Sequence, residues 1–474
     1  MKLLCVADMH LGRVPSRLHE ELYEQVADLG PAAAWRRAVD LALTEQVAAV
    51  LLAGDLVDGG NDFFEAFSDL REGVLRLTQA GVQVVAVAGN HDPEVLARLV
   101  QVVPQVRLLG AGGVWETLDL AGADGSYVRL VGWSFPNRWF NDSPLADDGL
   151  VVALERAGAT AAAGGSSVGD SPSDTSPSGA APVAAGPEVA GGRPLVTIGL
   201  LHTDRDQSGS RYAPVTSAQL GAAAVDAWLL GHVHVPDVGL ADGLAAGRGY
   251  VGGYLGSLSS NDPGEAGARG AWLLEVAPSG AISFEHVRLA PLRWEQLELD
   301  VSGWQAPEEF QPGLISSLEE LGETLLIEGA RPLAVGCRLR LVGRTPYRAE
   351  IERLLGSAPP SARLIEVAGM RFFVDEVRLD ALPPVDLGEL ARQDDPVGLL
   401  VARIVALRSP GSELRERLVA AAAPRLAEIN GRSDFGGGAV PAPDAEEVAA
   451  LLEEAATSAL DALLAQPNGG GGAR

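Results

Sequence analysis

Five short apolar runs in the first 235 residues all end on the same few residue types: glycine, aspartate, asparagine or histidine. Residues 2–7 lead to Asp8-Met9-His10, residues 47–53 to Gly54-Asp55-Leu56-Val57-Asp58, and residues 82–88 to Gly89-Asn90-His91-Asp92. Residues 195–201 lead to His202-Thr203, and residues 227–230 to Gly231-His232-Val233-His234. Unbroken aliphatic runs of this length read as strands buried on both faces, which is how parallel strands look in sequence. Parallel strands need crossovers long enough for a helix, and residues 20–45, 63–80 and 94–102 carry helical periodicity. The expected fold class is therefore α/β, built from right-handed βαβ units. Shorter strands at 106–109, 127–132, 250–255, 270–276 and 282–287 would complete a first domain over residues 1–290.

Open α/β sheets hold their ligands beyond the carboxyl ends of the strands, and all five clusters fall there. A single Gly-Asp pair or a single histidine would be an ordinary turn or a satisfied core residue. Five of the seven histidines (10, 91, 202, 232 and 234) stand at strand ends beside Gly, Asp or Asn, so chance placement is a poor account of the set. His19 and His286 do not, and read as structural. Two metal ions about 3.5–4 Å apart need a shared carboxylate together with His, Asn and Asp ligands and open positions. Asp55 is the candidate for the shared carboxylate. Asp8, His10, Asn90, His202, His232 and His234 are candidates for the remaining ligands.

The five clusters, in this order, resemble the five signatures of the calcineurin-like metallophosphoesterases. The resemblance implies the metallophosphoesterase fold, with β-sheets flanked by helices, and a dinuclear-metal phosphoesterase activity. It implies one metal ion held by Asp8, His10, Asp55 and His234, and a second held by Asp55, Asn90, His202 and His232, with Mn2+ as the expected ion. A bridging hydroxide would attack phosphorus, and His91 would protonate the leaving oxygen or stabilise its charge. Asp58 would orient His91, with Asp92 as the alternative. Within the family, Asp8-Met9-His10-Leu11-Gly12 and Gly89-Asn90-His91-Asp92 are most similar to the SbcD-type DNA repair exonucleases, including their YhaO-like branch. Leu339-Arg340-Leu341-Val342-Gly343-Arg344-Thr345-Pro346 resembles their capping domain. This implies DNA as substrate and an SbcC-like ABC-type ATPase as partner, and leaves a homodimer open.

Composition bounds the alternatives. The net charge of -27 argues against a generic nucleic-acid coat protein. It does not exclude a nuclease, because divalent cations and local arginines can hold phosphates against a repulsive field. It also keeps open a small-molecule phosphodiesterase or phosphatase on the same scaffold. Lys2 is the only lysine, so this chain has no Walker A lysine and ATP hydrolysis would fall to another polypeptide. Two cysteines in apolar contexts make a disulfide framework unexpected, and no apolar stretch is long enough to span a membrane. The expected location is cytoplasmic.

Residues 158–192 collapse into Ala, Gly, Ser and Pro and read as a disordered insertion, since they lack the apolar mass to offset ordering entropy. Residues 291–383 read as a small α+β domain and residues 384–474 as a helical tail. In that tail a helix from Ala445, capped by Asp444, aligns Val448, Leu451, Leu452 and Ala455 on one face. Arg13, Arg205 and Arg211 near the clusters could meet phosphate, and Arg338, Arg340 and Arg344 could form a basic strand face for a DNA backbone. Each could equally be a salt-bridged surface residue.

Overall fold

A computed structural model describes residues 1–57, 63–122, 125–163, 193–238, 250–357, 359–360, 363–430 and 443–464. Asp58 and residues 164–192, most of the segment read as an insertion, lie outside them. The chain divides into two compact units. Met1–Asp300, Gln305–Leu341 and Glu350–Asp380 form the first, and Val301–Trp304, Val342–Ala349 and Ala381–Arg474 the second.

In the first unit, β1 (Lys2–Val6), α1 (Pro31–Thr44), β2 (Ala49–Ala53), α2 (Phe63–Gln79), β3 (Gln83–Val87), α3 (Pro93–Val102) and β4 (Val106–Leu108) alternate as expected. The four strands pair in parallel, side by side. A second sheet takes β5 (Glu116–Ala121), β6 (Tyr127–Trp133), then after α4 (Gly149–Ala163) β7 (Thr197–His202), and after α5 (Ser217–Ala222) β8 (Ala227–Gly231) and β9 (Val251–Tyr254), in that order. β10 (Gly270–Val276) and β11 (Ile282–Arg288) return to the first sheet, whose order is β11-β10-β1-β2-β3-β4. β10 runs antiparallel to β1, and β5 antiparallel to β6, so antiparallel strands edge the parallel core.

The period of two along each strand sorts the core into layers. Leu3, Cys5, Ala49, Leu51, Val85 and Val87 meet Val128, Leu130, Ile198, Leu200 and Leu229 between the two sheets. The alternate residues Leu4, Val6, Val50, Leu52 and Val84 face the helices, against Trp35, Val39, Leu70, Leu77, Leu96 and Leu99. On the far side of the second sheet Trp133, Leu201, Trp228 and Leu230 pack with Leu150 of α4 and Leu220 of α5. The architecture is thus two sheets face to face with helices outside both. Each fully buried Leu, Val or Ile contributes about 1.5–3 kcal/mol, so a charge on either face of β2 would be ruinous.

Two local readings need correction. The helix expected over 20–45 is broken: a 3-10 helix runs over Glu20–Asp28 and α1 begins only at Pro31. Gly30 is extended (φ -92, ψ -173), and Pro31 has no amide to continue a helix but suits its first position. α4 runs to Ala163, so residues 158–163 of the expected disordered stretch are helical.

β12 (Leu292–Asp300), α6 (Phe310–Ile327), β13 (Ala334–Val342), α7 (Arg348–Ser357), β14 (Ile365–Val367) and β15 (Met370–Leu379) follow, with the strands in a sheet ordered β12-β13-β15-β14. Its Leu292, Trp294, Ala334 and Phe373 pack against Leu18, Leu22 and Leu29. In the second unit, α8 (Leu387–Leu390), α9 (Pro396–Leu407), α10 (Glu413–Asn430) and α11 (Ala445–Leu464) are helical as read from the sequence. The Asp444 carboxylate accepts from the Glu446 and Glu447 amides (2.9 Å each), and Glu447 accepts in return from the Asp444 amide (2.8 Å). α11 buries Val448 and packs Leu460 with Val401 and Ile404 of α9, while Leu451 stays 47% exposed. Among the described residues no helix is long and apolar enough to cross a membrane. Cys5 and Cys337 are buried free thiols.

Candidate metal centre

The ends of β1, β2, β3, β7 and β8 bring the charged and imidazole side chains to one edge of both sheets. The turns beyond β1 and β2 run side by side: the Asp8 amide donates to the Gly54 carbonyl (3.1 Å), His10 to Asp55 (3.0 Å) and Leu11 to Leu56 (2.8 Å). Asp8, His10 and Asp55 hold φ of 48, 47 and 50, and His232 holds 104, a backbone region that L-residues seldom occupy. Strain gathered at one spot in this way is usual where side chains are aimed for function. Gly89 is required by proximity, since a Cβ there would lie 2.1 Å from Asp55 Oδ1.

Asp8, His10 and His234 form one donor group, with one potential ligand atom from each within 4.8 Å of the others. The Asp8 carboxylate is fixed by the His232 amide, 3.1 Å from both oxygens, which ties the first sheet to the second. His10 Nε2 and His234 Nε2 face each other at 3.2 Å. The other nitrogen of His234, Nδ1, lies 2.5 Å from Glu265 Oε1. A carboxylate can only accept, so Nδ1 carries the proton and Nε2 presents its lone pair inward.

Asp55, His202 and His232 form the second group. His202 Nδ1 donates to the Ala53 carbonyl (3.1 Å), so its Nε2 points at Asn90 Oδ1 (3.0 Å) and Asp55 Oδ2 (3.3 Å). His232 Nδ1 also meets Asn90 Oδ1 (3.0 Å), and its Nε2 donates to Asp204 Oδ1 (3.1 Å). Asn90 Oδ1 is therefore an acceptor faced by two ring nitrogens whose other atoms are already committed as donors. Such a convergence of oxygen and imidazole donors calls for positive charge between them, and it fits a divalent ion in each group.

The electrostatics agree. Burial pushes the Asp8 carboxyl up, against the pull of His202 and His234. Burial acts the same way on Asp55, yet His202 beside it, with His10 and His91, holds it well below the usual carboxylate range. Burial alone would lower His202, but Asp55 raises it to about 9. Without a metal a proton thus fills the place, and a metal ion would compete with it. Glu265 and Asp204, despite burial, are held below their usual range by His234 and His232 respectively. Replacing Glu265 with glutamine should weaken metal binding in the Asp8 group by roughly 10–100-fold, the usual cost of losing an outer partner. Isothermal titration with manganese would read this, and two unchanged sites would refute the orienting role.

Six of the seven residues expected as ligands form the two groups, and the seventh, Asn90, meets His202 and His232 of the second. His91 stands beside them without entering either: its amide donates to Asp55 Oδ1 (2.9 Å) and its ring lies edge-on to His10, 5.4 Å between centroids. Asp58, its expected orienting partner, lies outside the described residues. Asp92, the alternative, is pinned by backbone amides, Oδ1 by Gly89 (2.8 Å) and Oδ2 by Leu56 (2.6 Å), and burial and Asp55 push it up to about 7. It closes the turn between two strand ends. His19 accepts from the Glu21 amide and His286 stacks on Trp272, both in structural roles.

Four of the arginines left open by the sequence take the salt-bridged alternative. Arg205 pairs with Asp237 and lies over the Tyr254 ring, so it braces the loop after β7. Arg338 is paired with Asp375 (3.0 Å), and Arg340 with Glu298 (2.5 Å) and Asp380 (2.9 Å). Arg344 is paired with Asp461. Of the two readings of Arg338, Arg340 and Arg344, the paired one holds, and their charge is neutralised by neighbouring carboxylates. Sequence reasoning missed Asp204 and Glu265. Asp204 stands two residues after His202 and was within reach; Glu265 stands 31 residues from His234 and carries no local signal.

The calcineurin-like phosphoesterase family matches residues 1–236. The chain is similar to the uncharacterized metallophosphoesterase YhaO of Bacillus subtilis, 25% identical over 301 residues, which is 62% of this chain and 62% of that protein. It is also similar to the SbcD component of the SbcCD nuclease of Rhodobacter capsulatus, 35% identical over 97 residues, 20% of this chain and 22% of that protein. The chain therefore spans less than two thirds of either relative. A dimetal phosphatase from Danio rerio is similar at 14% identity over 58% of this chain and 92% of that one, with a TM-score of 0.31.

Proposed function

The chain belongs, through residues 1–236, to the calcineurin-like phosphoesterases, and on that premise we propose that it is a DNA nuclease of the SbcD type, cutting phosphodiester bonds in DNA repair. The family makes it a metal-dependent hydrolase. The observation that carries the reading is the pair of donor groups, Asp8-His10-His234 and Asp55-His202-His232, at the same strand ends. The similarity to the SbcD component of a nuclease supports DNA as the substrate. Two divalent ions, with manganese proposed, supply when bound an activated water and neutralise charge at phosphorus. Asp55 is proposed to serve both ions, and Asn90 to complete the second group. His91, which enters neither group, protonates the leaving oxygen, and Asp58 orients it.

The sheet of β12 to β15 is proposed to cap the substrate, and an SbcC-like ABC-type ATPase to supply the ATP hydrolysis that a chain with a single lysine cannot organise through a Walker motif. The exposed Leu399, Val405 and Leu451 of the second unit are apolar surface for such a partner.

The test is hydrolysis of end-labelled single- and double-stranded DNA beside bis-p-nitrophenyl phosphate, with manganese and with EDTA. The expected result is metal-dependent cleavage of DNA. Turnover of the small diester with DNA left intact would establish the other reading, a small-molecule phosphodiesterase, which the net charge of -27 favours.

A further inference from the structure

Two segments beside the second donor group form a short parallel bridge. The Phe140 amide donates to the Arg211 carbonyl (2.9 Å), the Ala213 amide to the Phe140 carbonyl (2.8 Å), and Phe140 pairs with Tyr212. Extended backbone sends neighbouring side chains to opposite faces. Phe140 lies against Trp133 (5.0 Å between ring centroids) and Tyr212 against His232 (4.9 Å), so these two face the interior and the metal centre. Trp139 and Arg211, each next to one of them, belong to the outer face.

Trp139 is 50% exposed, whereas the other seven tryptophans are buried or half-buried. Two exposed arginines stand by its ring, with the guanidinium of Arg138 5.4 Å and that of Arg211 5.7 Å from the ring centroid. Among the described residues neither has a carboxylate partner, in contrast to Arg338 and Arg340. Both distances approach the limit of about 6 Å for attraction to a ring face, so either arginine can leave the ring for a phosphate. An exposed indole beside two unneutralised arginines has the parts of a single-strand platform: an aromatic face for a base and cations for the neighbouring phosphates. In a chain of net charge -27, such local cations are what a polyanion needs to approach.

We propose that Trp139, with Arg138 and Arg211, is a base-stacking platform for an unpaired stretch of nucleic acid leading to the metal centre. This rests on the nuclease reading above and adds where the strand is held. The bridge sets the geometry: its inner Tyr212 touches the His232 ring, so a strand on its outer face lies beside the place of cleavage.

The test is quenching of tryptophan fluorescence by an oligothymidylate of about ten nucleotides, within the usual single-strand site size, in EDTA so that nothing is cut. The whole chain is used. Wild type should quench. Trp139→Ala should lose the quenching and bind roughly 5–150-fold more weakly, the range for one base on an aromatic ring. Trp139→Phe should recover most of the affinity without the signal. Replacing Arg138 and Arg211 with alanine should flatten the salt dependence by roughly 0.7 per arginine in logarithmic slope. Binding by Trp139→Ala equal to wild type would overturn the proposal, and so would a wild type that does not bind. Hydrolysis of bis-p-nitrophenyl phosphate, which has no base, reports separately whether the catalytic reading stands.

Discussion

Replacement of Asp55 with asparagine is expected to abolish phosphoester hydrolysis and to leave the chain with fewer than its full complement of metal ions. The substitution keeps the shape and removes the charge. Asp55 is buried, 2% exposed, and its Oδ1 accepts from the His91 amide at 2.9 Å, a bond that an amide oxygen can keep. Collapse of the fold is therefore not expected, and an unchanged melting profile of the metal-free protein is the control. The loss is the negative charge that His202, His10 and His91 now stabilise. An outer partner of a ligand costs roughly 10–100-fold when removed; a carboxylate shared by two ions should cost more than that. A second readout does not depend on activity. Asp55 is what holds His202 up at about 9, so its neutral replacement should bring that imidazole's titration down in the metal-free protein. Metal content and the His202 titration together decide the matter. A variant that keeps two bound ions and full turnover would end the reading of Asp55 as the carboxylate shared by both.

The first half of the chain was the easier half to read, for a physical reason. Strands such as β2, Ala-Val-Leu-Leu-Ala, are buried on both faces and so appear as unbroken apolar runs. The candidate ligands at strand ends inherit that clarity, because Asp8 and His202 follow such a run directly and Asp55, Asn90 and His232 follow it after a single glycine. β5, Glu-Thr-Leu-Asp-Leu-Ala, is only partly buried at a sheet edge and gave no comparable signal. The break at Gly30-Pro31 was legible in principle, but the periodicity on either side masks it. Glu265 was beyond reach, because its partner His234 is set by the fold and not by spacing. The pairing of Arg338 with Asp375 was hidden in the same way, since 37 residues separate them. Charge alternation along a strand shows where a cation points but not what stands opposite.

His91 offers the sharper separation of chemistry from metal binding. Truncation to alanine should leave both donor groups loaded while turnover falls roughly 10²–10⁴-fold, the usual worth of a general acid. The geometry motivates this: Asp8, His10 and His234 close one group and Asp55, His202 and His232 the other, and the His91 ring enters neither. Its amide keeps the bond to Asp55 whatever the side chain, so the substitution leaves the Asp55 carboxylate seated. The deficit should depend on the substrate. A nitrophenolate leaves without help from an acid, whereas the deoxyribose oxygen of a DNA strand needs a proton, so the loss on DNA should exceed that on bis-p-nitrophenyl phosphate. Asp58 can be placed by the same experiment. If it acts only by orienting His91, Asp58→Asn should lower turnover by itself but cost nothing further once His91 is alanine. Additive losses would give Asp58 a role of its own. Loss of metal from His91→Ala, measured by elemental analysis after gel filtration, would make His91 a ligand and overturn the assignment of the acid.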